Sequence, residues 1–322
     1  MQERPDADGD CDTGTAPAVS VLMATYGRAA LLPRAVASVM AQTWSDFELI
    51  VVDDASPDET PAVLARLAEP RLMALRQATN MGAAAARNSA AAHARGRLLV
   101  ILDDDDRVEP EFLAVVVEAF RTAGSSVGFG WTWKRRVELT ADGEREVGVM
   151  TFDYHSPAPM PGRAIYRGGN SGSNGLVIRR DLFVQMGGFD PSFHVAEDTD
   201  LLLRMAPHAD FVVVPRPLYV FTDGAGTRLT APSLAGAQSL ERFVARHEQV
   251  LSPRSWLYHY EGAARGYFAA GRRGDGRRIM ARVLRRFPAR LRGWRLWMAL
   301  EVGPWLPPGL RKRLLPKKWR NV

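Results

Sequence analysis

Cysteine is almost absent: Cys11 is the single thiol in 322 residues. No disulfide framework can form within such a chain, and a reducing, cytoplasmic compartment is the expectation. No apolar run reaches the roughly 18 residues that a membrane-spanning helix needs. The glycine-rich phosphate loops are missing too: neither Gly-x-Gly-x-x-Gly nor Gly-x-x-x-x-Gly-Lys-Ser/Thr follows the first apolar strand. Histidine is scarce, six in all, and His155, His194 and His208 lack metal-ligand spacing. Each reads as a packed or solvated side chain. The first seventeen residues hold Glu3, Asp6, Asp8, Asp10 and Asp12 and no apolar core segment. They are expected to be a disordered acidic tail rather than a secretion signal.

What is present is a globular chain, 46% apolar, with a divided charge. Residues 253–322 carry 18 Lys+Arg against 3 Asp+Glu, a net of +15, whereas residues 1–252 carry 24 against 33, a net of −9. Such asymmetry points to an acidic partner for the C-terminal part.

Residues 19–25 form an apolar run ending in Thr25-Tyr26-Gly27-Arg28, and residues 31–42 follow with helical spacing. A second strand over 47–52 stops at Asp53-Asp54, and Ser56-Pro57 is a candidate helix opening. A third strand covers 71–77, and an Ala-rich helix runs from Asn80-Met81-Gly82 to about His93. A fourth strand, 97–102, ends in four aspartates, Asp103 to Asp106. Alternating strands and helices predict a parallel sheet covered by helices, with the polar strand ends on one edge. Beyond it the pattern loosens: extended chain over 127–139, a Gly/Pro/Ser-rich loop over 156–175, a Gly187-Gly188-Phe189-Asp190 turn, and the acids Glu197 to Asp200 ahead of a short helix at Leu201. One or two strands are expected around Pro215 and Pro217, and helices from 233 onward.

In open α/β sheets ligands bind outside the carboxyl ends of the strands. Adjacent carboxylates repel unless a cation neutralises them, and Mg²⁺ or Mn²⁺ prefers oxygen ligands and bridges to phosphates. A run of acids is equally a solvated turn or a helix cap. Taken alone, the four aspartates divide evenly between these readings.

Together, Ser20 to Arg28, Val51-Val52-Asp53-Asp54-Ala55-Ser56-Pro57-Asp58, Asn80-Met81-Gly82 with Ala86-Arg87-Asn88, and Leu102-Asp103-Asp104-Asp105-Asp106 resemble the family 2 glycosyltransferases. Gly187 to Asp190 and Glu197 to Leu201 match later motifs of that family, so the resemblance covers residues 19 to about 221. It implies the GT-A fold, an α/β architecture with a Rossmann-like, mostly parallel sheet, and inverting transfer from a nucleotide sugar. Carried over residue by residue, Asp54 would accept a hydrogen bond from the base, and Thr25, Tyr26 and Arg28 would lie by base and ribose. Arg87 would approach the nucleotide from its helix. Asp103 and Asp105 would frame the metal motif, with Asp105 the direct ligand to Mn²⁺ or Mg²⁺, and Asp104 would meet the ribose. Asp106 would support the turn, and Asp53 would be structural. Asp198 matches the general base, with Glu197 its alternate or partner. His194, near that pair, would line the acceptor pocket, and Asn170 to Asn174 would be an acceptor loop. The bland alternatives are packing for Thr25 and Tyr26, a surface ion pair for Arg87, a plain linker for 170–174, and helix capping for residues 197–200.

The resulting expectation is a tail over 1–17, a GT-A domain over 18–232 with a nucleotide-binding half (18–108) and an acceptor half (109–232), and a basic helical region over 233–322. The partners implied are a nucleotide-sugar donor, UDP-linked foremost, and a saccharide or lipid-linked acceptor of surface polysaccharide or glycolipid synthesis. The arginine-rich 277–286 segment and Trp294, Trp297, Trp305 and Trp319 beside Lys317-Lys318 suit either an anionic membrane face, with the enzyme peripheral on the inner leaflet, or a solvated bundle. No nucleic-acid module is seen. A nucleotidyltransferase and a silent membrane scaffold are the competing functions; the first lacks its basic glycine loop, and the second does not explain Asp54, Asp105 and Asp198 together.

Overall fold

The computed structural model describes residues 16–67, 69–140, 143–151, 159–166, 172–223, 232–289, 294, 296–298 and 301. Nearly all of the expected acidic tail lies outside the described residues, as do His155, Asn170, Trp305, Trp319, Lys317 and Lys318. The first half alternates β1 (Val19–Thr25), α1 (Leu32–Met40), β2 (Phe47–Asp53), α2 (Thr60–Arg66), β3 (Leu72–Arg76), α3 (Ala83–His93) and β4 (Leu98–Ile101). The short β5 (Arg107–Val108) and α4 (Phe112–Thr122) follow the acids, then the hairpin of β6 (Val127–Thr140) and β7 (Gly143–Met150). Next come β8 (Val177–Arg179), α5 (Arg180–Gln185), α6 (Glu197–Met205), β9 (Asp210–Asp223), α7 (Leu234–His247), α8 (Pro253–Ala269) and α9 (Arg273–Arg286).

The described strands form one sheet in the order β3-β2-β1-β4-β8-β6-β9-β5, with β7 paired to β6. β1 lies parallel to β2 and β4, with Thr25 opposite Asp53 and Leu22 opposite Ile101. The polar ends of all three strands therefore share one edge, as the alternation predicts. β8 enters antiparallel between β4 and β6, and β6 runs parallel to β9. Successive strand residues point to opposite faces, which splits the core. Val21, Met23, Val51 and Val100 pack under α1 and α4; Leu22, Ile50, Val52 and Ile101 pack against α3, α6 and the C-terminal helices.

Local readings are corrected at two points, and a third is narrowed to one strand. Ser56 does not cap a helix: its hydroxyl accepts the Gly27 N–H at 3.0 Å, tying the ends of β1 and β2 together, and Asp58 accepts the Thr60 N–H where α2 begins. The acids at 197–200 are not a cap ahead of Leu201 but the first turn of α6, entered through Ala196 in the left-handed conformation (φ 67°). β9 continues through Pro215 and Pro217, and register shifts opposite Thr132 and Trp133 absorb the missing donors.

The C-terminal helices share a core with the sheet. Phe243, Trp256, Tyr260, Ile279 and Val283 are buried in the same cluster as Leu201 and Phe211. The arginines of α9 are largely matched internally, Arg278 by Glu241, Arg286 by Glu248 and Arg277 by Glu301. Trp294 is exposed, and Trp297 packs on the shared cluster. No described helix is long and apolar enough to cross a membrane.

Candidate active site

The four aspartates leave β4 in a turn closed by the Asp106 N–H bonding to the Asp103 carbonyl at 3.1 Å. Their side chains divide. Asp103 accepts from Arg87 at 2.7 Å and from Asn174 Nδ2. Asp104 is buried, 3.4 Å from Arg28 Nη1, and Asp105 accepts a hydrogen bond from the same nitrogen. Asp106 does more than support the turn. Fully buried, it accepts the Tyr219 hydroxyl at 2.7 Å and the Thr222 N–H at 2.8 Å, fastening β9 to the acids. Asp103, Asp105 and Asp106 each offer an oxygen, all within 4.8 Å of one another. Burial, with like charges adding to it, pushes Asp104 up to about 7 and Asp106 well above the carboxylate range. Burial and Asp103 likewise raise Asp105.

Such a cluster fits a divalent cation. Its donors are hard oxygens, the preference of Mg²⁺ and Mn²⁺. Asp104 and Thr25 are both buried at this edge, and the Thr25 hydroxyl partly offsets the upward push of burial on the Asp104 carboxyl.

The neighbouring strand end holds the other residues expected at the nucleotide. Tyr26 is 48% exposed and free to stack, whereas Thr25 is buried. Asp54 is also buried, and its two oxygens accept the Met81 and Gly82 amides at 2.7 and 2.8 Å. A base contact at Asp54 would therefore add to these bonds on the carboxylate's remaining lone pairs. Asp53 is structural as expected, accepting the Ser56 N–H and pairing with Arg76.

Arg87 joins the two halves. Buried in α3, it donates to Asp103 at 2.7 Å and to Glu197 at 3.0 Å, so it is neither a surface ion pair nor a free cation. It brings the start of α6 to the metal-type cluster. Burial, with Asp198 adding, raises Glu197 to about 7. Asp198 accepts the Ser173 N–H at 2.9 Å and the Thr199 N–H at 2.6 Å. Lys134 of β6 is buried near Asp106, Asp103 and Asp198, and burial lowers it to about 8 against their pull. His194 and His208 are exposed; the His194 backbone N–H donates to Ser239.

Lys134, Tyr219 and Thr222 are site neighbours that sequence reasoning missed. Ser173 and Asn174 belong to the Gly/Ser-rich stretch 170–174, whose described end reaches the acids: the Ser173 N–H donates to Asp198 and Asn174 Nδ2 donates to Asp103. At the turn before α6, Gly188 (φ 71°) lies where an added Cβ would sit 2.6 Å from Asn88 Oδ1. Asn88 in turn brackets Phe189 through both its N–H and C=O, which explains a glycine there.

The sequence matches the family description "Glycosyl transferase family 2" over residues 20–175 and "Glycosyltransferase like family 2" over 165–268. It is 38% identical over 111 residues to the succinoglycan biosynthesis protein ExoO of Rhizobium meliloti (strain 1021), covering 34% of this chain and 32% of that protein's length. The fold superposes on S. aureus TarS 1–349 in complex with UDP-GlcNAc with a TM-score of 0.60 and 18% identity, covering 94% of this chain and 85% of that one. It also superposes on the mannosyltransferase PcManGT of Pyrobaculum calidifontis in complex with GDP-Man and Mn²⁺, with a TM-score of 0.55 and 19% identity, covering 93% and 85%. At these identities the likeness establishes the fold.

Proposed function

The chain belongs to glycosyl transferase family 2, and from that premise we propose that it is an inverting enzyme moving a sugar from a nucleoside-diphosphate sugar to an acceptor hydroxyl. One observation carries the reading: Arg87 holds Asp103 and Glu197 at once, so that strand-end acids suited to a cation and a second pair of acids suited to proton transfer share one edge. Residues 18–108 would form the donor side and 109–232 the acceptor side. The UDP-GlcNAc of TarS and the GDP-Man of PcManGT support a nucleotide-sugar donor, and a UDP-sugar is the leading candidate. ExoO, a succinoglycan biosynthesis protein, supports a saccharide or lipid-linked acceptor in surface polysaccharide synthesis.

Exposed Tyr26 would stack on the base, with Asp54 accepting from its edge and Thr25, Asp104 and Arg28 on ribose and phosphate. A Mn²⁺ or Mg²⁺ held by Asp105 and Asp103 would supply positive charge opposite the departing diphosphate. Asp198 would take the acceptor's proton as the new bond forms, acting as general base. Glu197 is the poorer base, since Arg87 occupies its carboxylate. The Ser173 and Thr199 contacts fix the direction of the Asp198 carboxylate.

Asp198→Asn keeps the shape and removes the base. Turnover should fall by about 10²–10⁴-fold, while the thermal-shift response to UDP with Mn²⁺ is retained. Near-normal sugar transfer by that variant would remove Asp198 from the role. The anomeric configuration of the product, read by NMR, decides inversion.

A further inference from the structure

Arg28 follows Gly27, which is in the left-handed conformation (φ 64°), at the end of β1. Its Nη1 donates to Asp105 Oδ2 and lies 3.4 Å from Asp104 Oδ1, and Asp103 adds to the field that stabilises its charge. The guanidinium thus draws on Asp105, the carboxylate best matched to a direct metal ligand. A divalent ion beside that carboxylate would meet a fixed positive charge a few ångströms away, a repulsion that the protein's interior does little to screen.

The other arginines around the cluster are tied differently. Arg87 is buried and bonded to two carboxylates on separate elements. Arg34 donates to the Asp105 carbonyl at 2.7 Å and the Thr222 hydroxyl at 2.9 Å, and pairs with Glu144, so it fixes backbone and leaves the acid oxygens open. The Arg28 side chain is 21% exposed and pairs with Asp104 and Asp105. Gly27 is itself held, its N–H bonded to Ser56. The side chain can therefore swing from a rigid root.

We propose that Arg28 is an exchangeable internal counter-ion: its guanidinium neutralises Asp104 and Asp105 until a divalent cation displaces it, and the released guanidinium then binds the donor's diphosphate. The inference rests on the metal–nucleotide reading above and adds to it a competition and a hand-over. Bidentate recognition of phosphate by a planar guanidinium is well suited to the second role.

Two affinities should consequently move in opposite directions when Arg28 is replaced by an uncharged side chain of similar reach. Mn²⁺ alone is titrated into the full-length chain at pH 8, with free Mn²⁺ followed by its EPR signal, for the wild type, Arg28→Met, Arg28→Lys and Asp105→Asn. Relief of the like-charge contact should tighten Mn²⁺ binding by Arg28→Met about tenfold, with Arg28→Lys close to wild type. In saturating Mn²⁺, loss of a phosphate contact should weaken UDP binding by the Met variant about tenfold, read by calorimetry. Unchanged or weaker Mn²⁺ binding by Arg28→Met overturns the proposal, and so does a Lys variant that behaves like the Met variant, because packing rather than charge would then be responsible. Wild-type binding that is lost in Asp105→Asn supports the metal reading whatever Arg28 does. Failure of every form to bind Mn²⁺ overturns both.

Discussion

Asp104 and Glu197 set how this site responds to pH. Burial lifts each from the ordinary carboxylate value to about 7. The folded chain then holds these protons more tightly than the unfolded chain does. Where the unfolded acids have ionised and the folded ones have not, each rise in pH costs stability. Stability from these groups is full below about pH 4 and lost as pH rises to about 7. Asp200 acts oppositely: its partners outweigh its burial and lower it to about 2, a contribution present above the ordinary carboxylate value and lost in acid. Buried His259, lowered to about 4, gains stability as pH rises over part of the same window and opposes this decline. Without metal, the thermal stability of Asp104→Asn should therefore fall less steeply toward neutrality than that of the wild type, and Mn²⁺ should recover part of the wild-type loss at pH 7.5; identical profiles for the two would contradict the burial described for Asp104. The residues that carry charge here were readable because aspartates at the ends of apolar runs mark strand termini. Their partners were not. Arg28 meets Asp105, Asn174 meets Asp103, and Tyr219 meets Asp106 across 77, 71 and 113 positions of sequence, distances over which periodicity holds no information.

Among the elements, α6 is the one whose placement matters most for the proposed base. Its first turn holds Glu197 and Asp198 and anchors through Asp200. Fully buried, Asp200 accepts from His247 Nε2 and Arg204 Nε at 2.8 Å and from Arg246 at 3.0 Å. Arg246 also reaches Asp190 at 2.9 Å and lies over the Phe193 ring. α7 thereby lashes both the Gly187–Asp190 turn and α6. His247→Ala would remove one donor from a buried carboxylate, costing about 1–3 kcal/mol, with His247→Gln recovering part through its amide. Denaturant unfolding measures the loss, and an Ala variant as stable as wild type would show that the two arginines suffice. The expectation of helices from 233 onward covered α7 as an element. Its partner could not be inferred, because Arg246 and His247 look like ordinary polar positions until Asp200 is seen beneath them.

Over the molecule as a whole, the boundary placed at 232 is not a boundary in packing. The cluster that holds Phe211 and Leu201 also holds Trp256, Leu257 and Tyr260. Truncation after Leu251 should strip that face and abolish a cooperative thermal transition, by circular dichroism; a shortened chain that melts as sharply as the full one would mean that the sheet stands alone. Membrane association must therefore be tested on the intact chain. Pairing of Arg277, Arg278 and Arg286 with glutamates reduces the charge α9 can offer an anionic surface. The parallel sheet of the first half was legible because strand and helix alternate regularly there. The second half was less so, because β8 is three residues long and β9 contains two prolines. The insertion of β8 between β4 and β6 also has a consequence in time. During synthesis, β4 leaves the ribosome with one edge unpaired, and its partner, opposite Leu98 at Arg179, arrives only later. At the usual pace of translation the wait over roughly 80 residues is about 4–16 s, long enough for an apolar strand edge to meet another nascent chain or a chaperone first.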